Sequence, residues 1–390
     1  MKIRIVGGGP AGLYFAILMK QAYADWDVVV HERGPRDATW GFGVVFSDRA
    51  LEFLSADDPG MYDYLTPAMQ TWNDLTIVHS GVRIPIGGNG FASIGRLRLL
   101  NLLHERALAH GVRIAFESDV TSLAQLGPAD LVVAADGAFS WLRQAHEAAF
   151  GTRVQWGTNP FVWYGTTRPF DTLTLTFRTS EHGVFCAHHY RYAPDMSTFL
   201  VETDAATFER AGFDSMDEAA TLRYCERVFA PDLDGHPLLS NRSHWRRFPA
   251  VWNTRWSTPL PDGGRLVLLG DALRTAHFSI GSGTRLAMED ALALGTAIAA
   301  HPGRLDDALA QFQAVREPPM KKLWDAANVS LRWYETMGDL MALDPYEFAY
   351  RYMTRSGRVD HANLKRRDPV LAAAYEKLHP EIDFGAGAGR

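Results

Sequence analysis

The chain has 390 residues, 47% hydrophobic and 22% charged, with 39 basic against 45 acidic residues and a formal net charge of −6. That length exceeds one ordinary core and calls for two or three packed units, and the composition is that of a globular protein. A net negative chain without a Lys/Arg run argues against a nucleic-acid partner, and no stretch reaches the roughly 20 apolar residues of a membrane span, so no membrane partner is expected either.

Cys186 and Cys225 have no metal-type spacing, so no metal site is expected. They read as two unpaired buried thiols in a reducing, cytoplasmic setting.

In chain order, Lys2 to Val6 reads as a strand, Gly7 to Gly12 as a turn, Leu13 to Ala22 as a helix and Asp27 to His31 as a second strand. This is a βαβ unit, which calls for a parallel sheet covered on both faces. Glycine-rich loops follow at Gly41–Gly43 and Gly87–Gly90, then a helix from Arg96 to His110 and strands at Val112–Phe116 and Asp130–Ala134. From Phe161 to Glu202 aromatic, Thr and polar residues alternate between turn signals, as in an antiparallel sheet. A helix is expected around Ser215–Phe229, a buried strand at Arg265–Leu269 and a long helix from Thr284 to about Ala300. The remainder is helical, with breaks at Pro318–Pro319 and Asp344–Pro345. The fold class is therefore α/β, a Rossmann-like domain with an inserted antiparallel β-sheet domain and C-terminal helices. The expected boundaries are 1–74, 92–157 and 250–305 for a discontinuous dinucleotide domain, 75–91 and 158–249 for the insertion, and 306–390 for the helical region. A sheet drawn only from the first 150 residues is the alternative.

Three motifs carry chemistry. In Gly7-Gly8-Gly9-Pro10-Ala11-Gly12, Gly7 permits a tight turn, Gly9 lets a pyrophosphate approach the backbone, and Gly12 lets the helix pack on the strand. The phosphates then face a helix N-terminus, and Glu32 ends the next strand where it can accept from a ribose. The second runs from Asp130 through Asp136-Gly137 to Ser140 and Arg143, a buried strand ending in a carboxylate and a turn. In the third, a strand delivers Gly270-Asp271, and Gly281-Ser282-Gly283-Thr284 opens a long helix. Those backbone N–H groups suit an anion, including the negative pyrimidine edge of a reduced flavin. Taken singly, the last two are also what an ordinary turn and helix cap look like.

Together, in this order and spacing, the three motifs resemble those of the group A FAD-dependent aromatic monooxygenases, over roughly residues 1 to 340. The string His277-Phe278-Ser279-Ile280-Gly281-Ser282-Gly283-Thr284, with Gly41 to Asp48, Phe161 to Thr166, Ala187 to Tyr190 and Ser197 to Glu202, resembles the subgroup acting on salicylyl-CoA and 2-aminobenzoyl-CoA. A related string occurs in tryptophan-pathway hydroxylases. The resemblance implies FAD bound by Gly7, Gly9, Pro10, Ala11 and Gly12 at the pyrophosphate, Glu32 at the adenosine ribose, and Arg96 at the phosphate or ribityl region. Asp136 and Gly137 would lie near the pyrophosphate and Asp271 at the ribityl chain, with Gly281, Ser282, Gly283 and Thr284 at the isoalloxazine. Arg33, Phe42 and Gly43 join that set. Leu273-Arg274 departs from the subgroup, where Ala-His is expected, and puts the contact at the flavin edge in question.

The implied reaction consumes NAD(P)H, with NADH favoured, and O2, and hydroxylates an aromatic acyl-CoA through a C4a-hydroperoxyflavin. Salicylyl-CoA 5-hydroxylation to gentisyl-CoA is the leading expectation. The alternatives are 2-aminobenzoyl-CoA or a tryptophan-derived indole as substrate, and a non-catalytic FAD-binding sensor. Candidate bases are His277, in the loop expected to cover the flavin, then His188 and Tyr190, on one face of a strand by their period of two. Phe46, Trp163 and Phe278 are candidate substrate contacts. Arg242, Arg246 and Arg247, or Lys321-Lys322, could meet CoA phosphates, or simply be solvated. A monomer or homodimer is expected.

Overall fold

The structure, a computed structural model, describes residues 1–47, 49–281 and 283–384. Its first sheet runs in the spatial order Ser257–Pro259, Arg265–Leu268, Leu131–Ala134, Lys2–Val6, Asp27–His31, Arg113–Ala115. All neighbours pair parallel except Ser257–Pro259, which runs antiparallel to Arg265–Leu268. Helices Pro10–Ala22, Arg96–Ala109 and Gly283–Ala300 pack together over it. Covering both faces explains the near-continuous apolar strands: Ile3, Ile5, Val30, Leu131, Val133 and Leu266 to Leu268 are all buried. Arg265–Leu268 pairs directly with Leu131–Ala134, so residues beyond the first 150 complete this sheet.

The second sheet carries Thr152–Thr166, Leu173–Ser180, Gly183–Ala193 and Met196–Thr203 at its centre, joined by Leu75–His79, Val82–Ile86, Leu238–Leu239 and Arg246–Asn253. One detail differs from the antiparallel expectation. Leu173–Ser180 runs parallel to Leu75–His79, which arrives from far along the chain and is free of the hairpin constraint that makes consecutive strands antiparallel. A small third sheet joins Gly43–Ser47, Phe91–Gly95 and Gln70–Trp72. Cys186 and Cys225 are buried and unpaired.

The expected break at Pro318–Pro319 is absent, and one helix runs from Leu305 to Glu335. The two prolines remove the N–H groups that would bond the carbonyls of Ala314 and Val315. All four residues are exposed, so water can satisfy those carbonyls. Buried Phe312, Met320, Ala326 and Ala327, with the Arg316 bonds to Glu289 and Asp290, hold the helix on either side. Among the described residues no helix is long and apolar enough to cross a membrane.

Candidate active site

At the end of the first strand Gly7 has φ +110°, and a Cβ there would lie 2.2 Å from the Ala135 carbonyl oxygen, so only glycine makes this turn. A Cβ on Gly12 would meet the Gly7 carbonyl oxygen at 2.2 Å, whereas one on Gly9 would meet nothing within 4 Å. The protein leaves the space beside Gly9 open, at the N-terminus of Pro10–Ala22, which has no side-chain cap. Glu32 braces the loop by accepting from the Gly8 N–H at 2.8 Å and the Gly34 N–H at 2.7 Å, with further lone pairs free for a ribose. Arg33 is exposed beside it.

Arg96 opens its helix with its backbone N–H on the Phe42 carbonyl (2.7 Å) and its Nε on Thr39 Oγ1 (2.9 Å). Burial lowers the pKa of its guanidinium, and the charges of Asp271 and Glu32 oppose that shift. Three separate elements therefore bring these charges within electrostatic reach of one another. Asp271 is exposed to solvent, yet desolvation by surrounding protein raises its pKa, against the pull of Arg96 and Arg274. Asp136 accepts from the Trp141 N–H at 3.0 Å through one oxygen, while its buried Oδ1 has no protein partner, and desolvation raises its pKa. Like Gly9, Gly137 and Gly283 have open space where a Cβ would stand. Thr284 continues that helix start, Gly281 sits before it at φ +58°, and Ser282 lies outside the described residues. An anion cradle at a helix start, an unpaired buried carboxylate oxygen, and a cation electrostatically coupled to a further carboxylate fit FAD.

The structure answers the Leu273-Arg274 departure. Both residues are buried, and Arg274 bonds Asp290 at 2.8 Å, beside Arg316 and Glu289, with its guanidinium over Trp256. It belongs to an ion network under the Gly283–Ala300 helix.

Beyond the glycine loop, His277 and His188 converge from different elements. Phe278 packs between them, its ring centroid 4.0 Å from His277, 5.3 Å from His188 and 4.8 Å from Phe161. Tyr334 closes the group at 5.1 Å from His188 and 6.0 Å from His277, and Phe248 lies 5.0 Å from His277. His188 Nε2 stands 3.6 Å from Glu202 Oε2, beyond hydrogen-bond distance, while Asn159 holds the other Glu202 oxygen at 2.9 Å. Burial pushes the His277 pKa well below its ordinary value, and the charges of His188 and Arg355 push the same way. Burial therefore favours the neutral form of the His277 imidazole.

Its partners run in a chain: His277 Nδ1 to Ser279 Oγ at 2.8 Å, Ser279 Oγ to Ser330 Oγ at 2.8 Å, and Arg355 Nε to Ser330 Oγ at 2.9 Å. Arg355 can only donate. With Ser330 accepting from Arg355, the arrangement that gives every hydroxyl proton an acceptor has Ser330 donating to Ser279 and Ser279 donating to His277 Nδ1. Ser330, Tyr334 and Arg355 had no part in the sequence reading of the site, and Glu202 entered it only as the end of the Ser197 to Glu202 string.

Other expected site residues lie elsewhere. Tyr190 shares a strand face with His188, but its hydroxyl donates to the Gly43 carbonyl at 2.8 Å. Gly43 also donates its N–H to Thr198 Oγ1, so its backbone is committed within the protein. Phe46 is fully buried, within the core cluster of the first sheet. Trp163 lies against Gly41, where a Cβ would come within 2.6 Å of its ring, and Phe42 fills the space over Gly165. Arg242 stacks on exposed Trp40, while Arg246 and Arg247 are exposed at the start of their strand.

An open anion cradle at a helix start, a buried carboxylate oxygen without a protein partner and a buried aromatic cluster around His277 fit a flavin-dependent aromatic hydroxylase. Residues 128–327 match a family model described as an FAD binding domain. A salicyloyl-CoA 5-hydroxylase from Streptomyces sp is 41% identical over 96% of this chain and 72% of its own length. A 3-hydroxy-4-methyl-anthranilyl-[aryl-carrier protein] 5-monooxygenase from Streptosporangium sibiricum is 38% identical over 87% of this chain and 91% of its own. The solved 2-methyl-3-hydroxypyridine-5-carboxylic acid oxygenase shares the fold, with a TM-score of 0.66 at 18% identity over 94% of this chain and 97% of that one. The chain belongs to this FAD-binding family of monooxygenases, and is an FAD-dependent aromatic hydroxylase.

Proposed function

We propose that the enzyme hydroxylates an aromatic acyl-CoA, with salicylyl-CoA as substrate and its 5-hydroxy thioester as product. The similarity to a salicyloyl-CoA 5-hydroxylase along nearly the whole chain carries this reading, and the buried ring cluster supports it. Bound FAD supplies the redox chemistry, taking electrons from NAD(P)H, preferably NADH, and activating O2. The chain's own residues bind, orient and exclude water. Gly9 and the start of the Pro10–Ala22 helix would hold the pyrophosphate, Glu32 the adenosine ribose, Arg96 the phosphate or ribityl region, and Asp271 the hydroxyls of the ribityl chain. Phe161, Phe278 and Tyr334 would contact the substrate ring and exclude water from it.

His277 acts in this scheme as a hydrogen-bond donor rather than as the base. With Nδ1 accepting from Ser279, the proton of the neutral ring sits on Nε2. That N–H would face the phenolic oxygen of the substrate, and donating to it would favour loss of the phenol proton to solvent, giving the electron-rich phenolate ring that is attacked. Arg355, through Ser330 and Ser279, is a positioning residue for this tautomer.

The test mixes FAD-loaded protein, NADH and a panel of free aromatic acids and CoA thioesters, following substrate-stimulated NADH oxidation and product mass. The reading expects stimulation by salicylyl-CoA with a mass gain of one oxygen. Stimulation by free acids alone would overturn the acyl-CoA assignment, and NADH oxidation without a mass gain would mean uncoupled turnover.

A further inference from the structure

A cleft of about 570 Å³ lies apart from the ring cluster. Its floor is two paired strands, with Arg153 opposite Trp252 and Gln155 opposite Ala250, and its wall is the Leu305–Glu335 helix. Trp252 and Trp324 meet there at 5.4 Å between centroids, and the Trp324 indole is fixed by donating to the Val251 carbonyl at 3.1 Å. Lys321 stands over both rings, at 6.0 and 5.5 Å.

Arg153, Lys321 and Arg332 line the cleft against a single carboxylate, Asp325, which pairs with Lys321. Arg153 and Arg332 have no ion pair with any described residue. Three cations around an indole pair, on a chain of net charge −6, form a local exception to its charge. Indole faces take a purine ring and unpaired guanidinium groups take phosphate.

The cleft also stands at a defined distance from the chemistry. Trp252, Ala250 and Phe248 share one strand face by the period of two, and Phe248 touches His277. Four residues of strand place Trp252 about 13 Å from that contact. Along the helix, Trp324 to Tyr334 is ten residues, about 15 Å. The two rulers agree, and the span suits an extended pantetheine arm with its thioester at the ring cluster.

We propose that this cleft is the subsite for the adenosine-phosphate end of a CoA thioester, a proposal that rests on the acyl-CoA reading above. The purine stacks on the face of Trp324, with the edge of buried Trp252 beside it, and Arg153, Lys321 and Arg332 take the phosphates. Arg246 and Arg247, at the opposite end of the strand from Trp252, are not part of it.

The test compares salicylyl-CoA with salicyl-pantetheine, which has the same ring and arm but no nucleotide, in the FAD-loaded parent and in Arg153→Ala/Arg332→Ala. Both positions are exposed, so the variant should fold. In the parent the CoA thioester should have the lower KM, and adenosine 3′,5′-bisphosphate should compete with it. In the variant that advantage should shrink about tenfold or more, the effect of losing a charge-assisted contact, and competition by the bisphosphate should weaken alike.

An unchanged ratio of the two KM values would overturn the proposal, as would a variant whose KM rises only for NADH or only for an aryl thioester on a carrier protein. In those cases the acyl-CoA reading survives if the parent still hydroxylates salicylyl-CoA. If the parent hydroxylates neither thioester, both fall.

Discussion

Replacing His277 by Gln and by Ala separates a donor from a base. Gln places an amide N–H near the position of Nε2 and cannot take up a proton; Ala removes the group. Losing one buried donor aimed at developing charge typically costs about 10²–10³ in rate, or roughly 3–4 kcal/mol. His277→Ala should therefore fall by that factor in kcat for hydroxylation, and His277→Gln should stay within about tenfold of the parent. Ser279→Ala removes the bond that fixes the tautomer, a net of about 1 kcal/mol, and should cost about fivefold. Coupled product formation, not NADH oxidation, is the readout. The parent's kcat/KM should show no limb from His277 at neutral pH, since burial, His188 and Arg355 all hold its pKa well below 6.5. Loss in His277→Gln as deep as in His277→Ala would refute this reasoning and restore His277 as the base.

The other predictions concern cofactor and stability. Gly9→Ala has room in the protein but none beside a pyrophosphate, so FAD affinity should fall about tenfold or more while the melting temperature of the FAD-free form holds; an unchanged FAD Kd by flavin fluorescence would move the cofactor elsewhere. Arg274→Ala leaves buried Asp290 with Arg316 alone and should cost about 3 kcal/mol by denaturant unfolding, the lower end for a broken buried pair; no loss would mean the ion network is not structural. His189 and His277 are both held neutral, first by burial, so their folded pKa values lie below the unfolded 6.5. The unfolded chain then binds more protons as pH drops, and stability should be fully present above 6.5 and decline below it. His189→Phe, among Phe170 and Phe199, should flatten that decline in melting temperature, and an unaltered slope would count against it.

What could be read from the sequence was local. Gly7, Gly9 and Gly12 sit within one turn and Glu32 ends the next strand, so spacing alone brought them to one place. Asp136 and Asp271 each end a strand of the same parallel sheet, and a buried apolar strand is visible in any stretch of the chain. The aromatic cluster was only half visible. His277 and Phe278 lie in the glycine loop, but Ser330, Tyr334 and Arg355 come from helices some fifty to eighty residues on, and no periodicity ties them to that loop. The period of two put His188 and Tyr190 on one face correctly, yet could not show that the Tyr190 hydroxyl is taken by Gly43. Pro318–Pro319 misled because proline propensity is a local rule, and here exposure of the orphaned carbonyls with tertiary packing on both sides outweighs it.

The most direct test of the account is the product of a single turnover. FAD-loaded enzyme reduced by NADH is mixed with salicylyl-CoA and isotopically labelled dioxygen, and the thioester is analysed by mass and by the position of the new hydroxyl. The account predicts one labelled oxygen, placed at the 5-position of the ring, on a thioester that is otherwise intact. Unchanged salicylyl-CoA, with all reducing equivalents lost to peroxide, would contradict it.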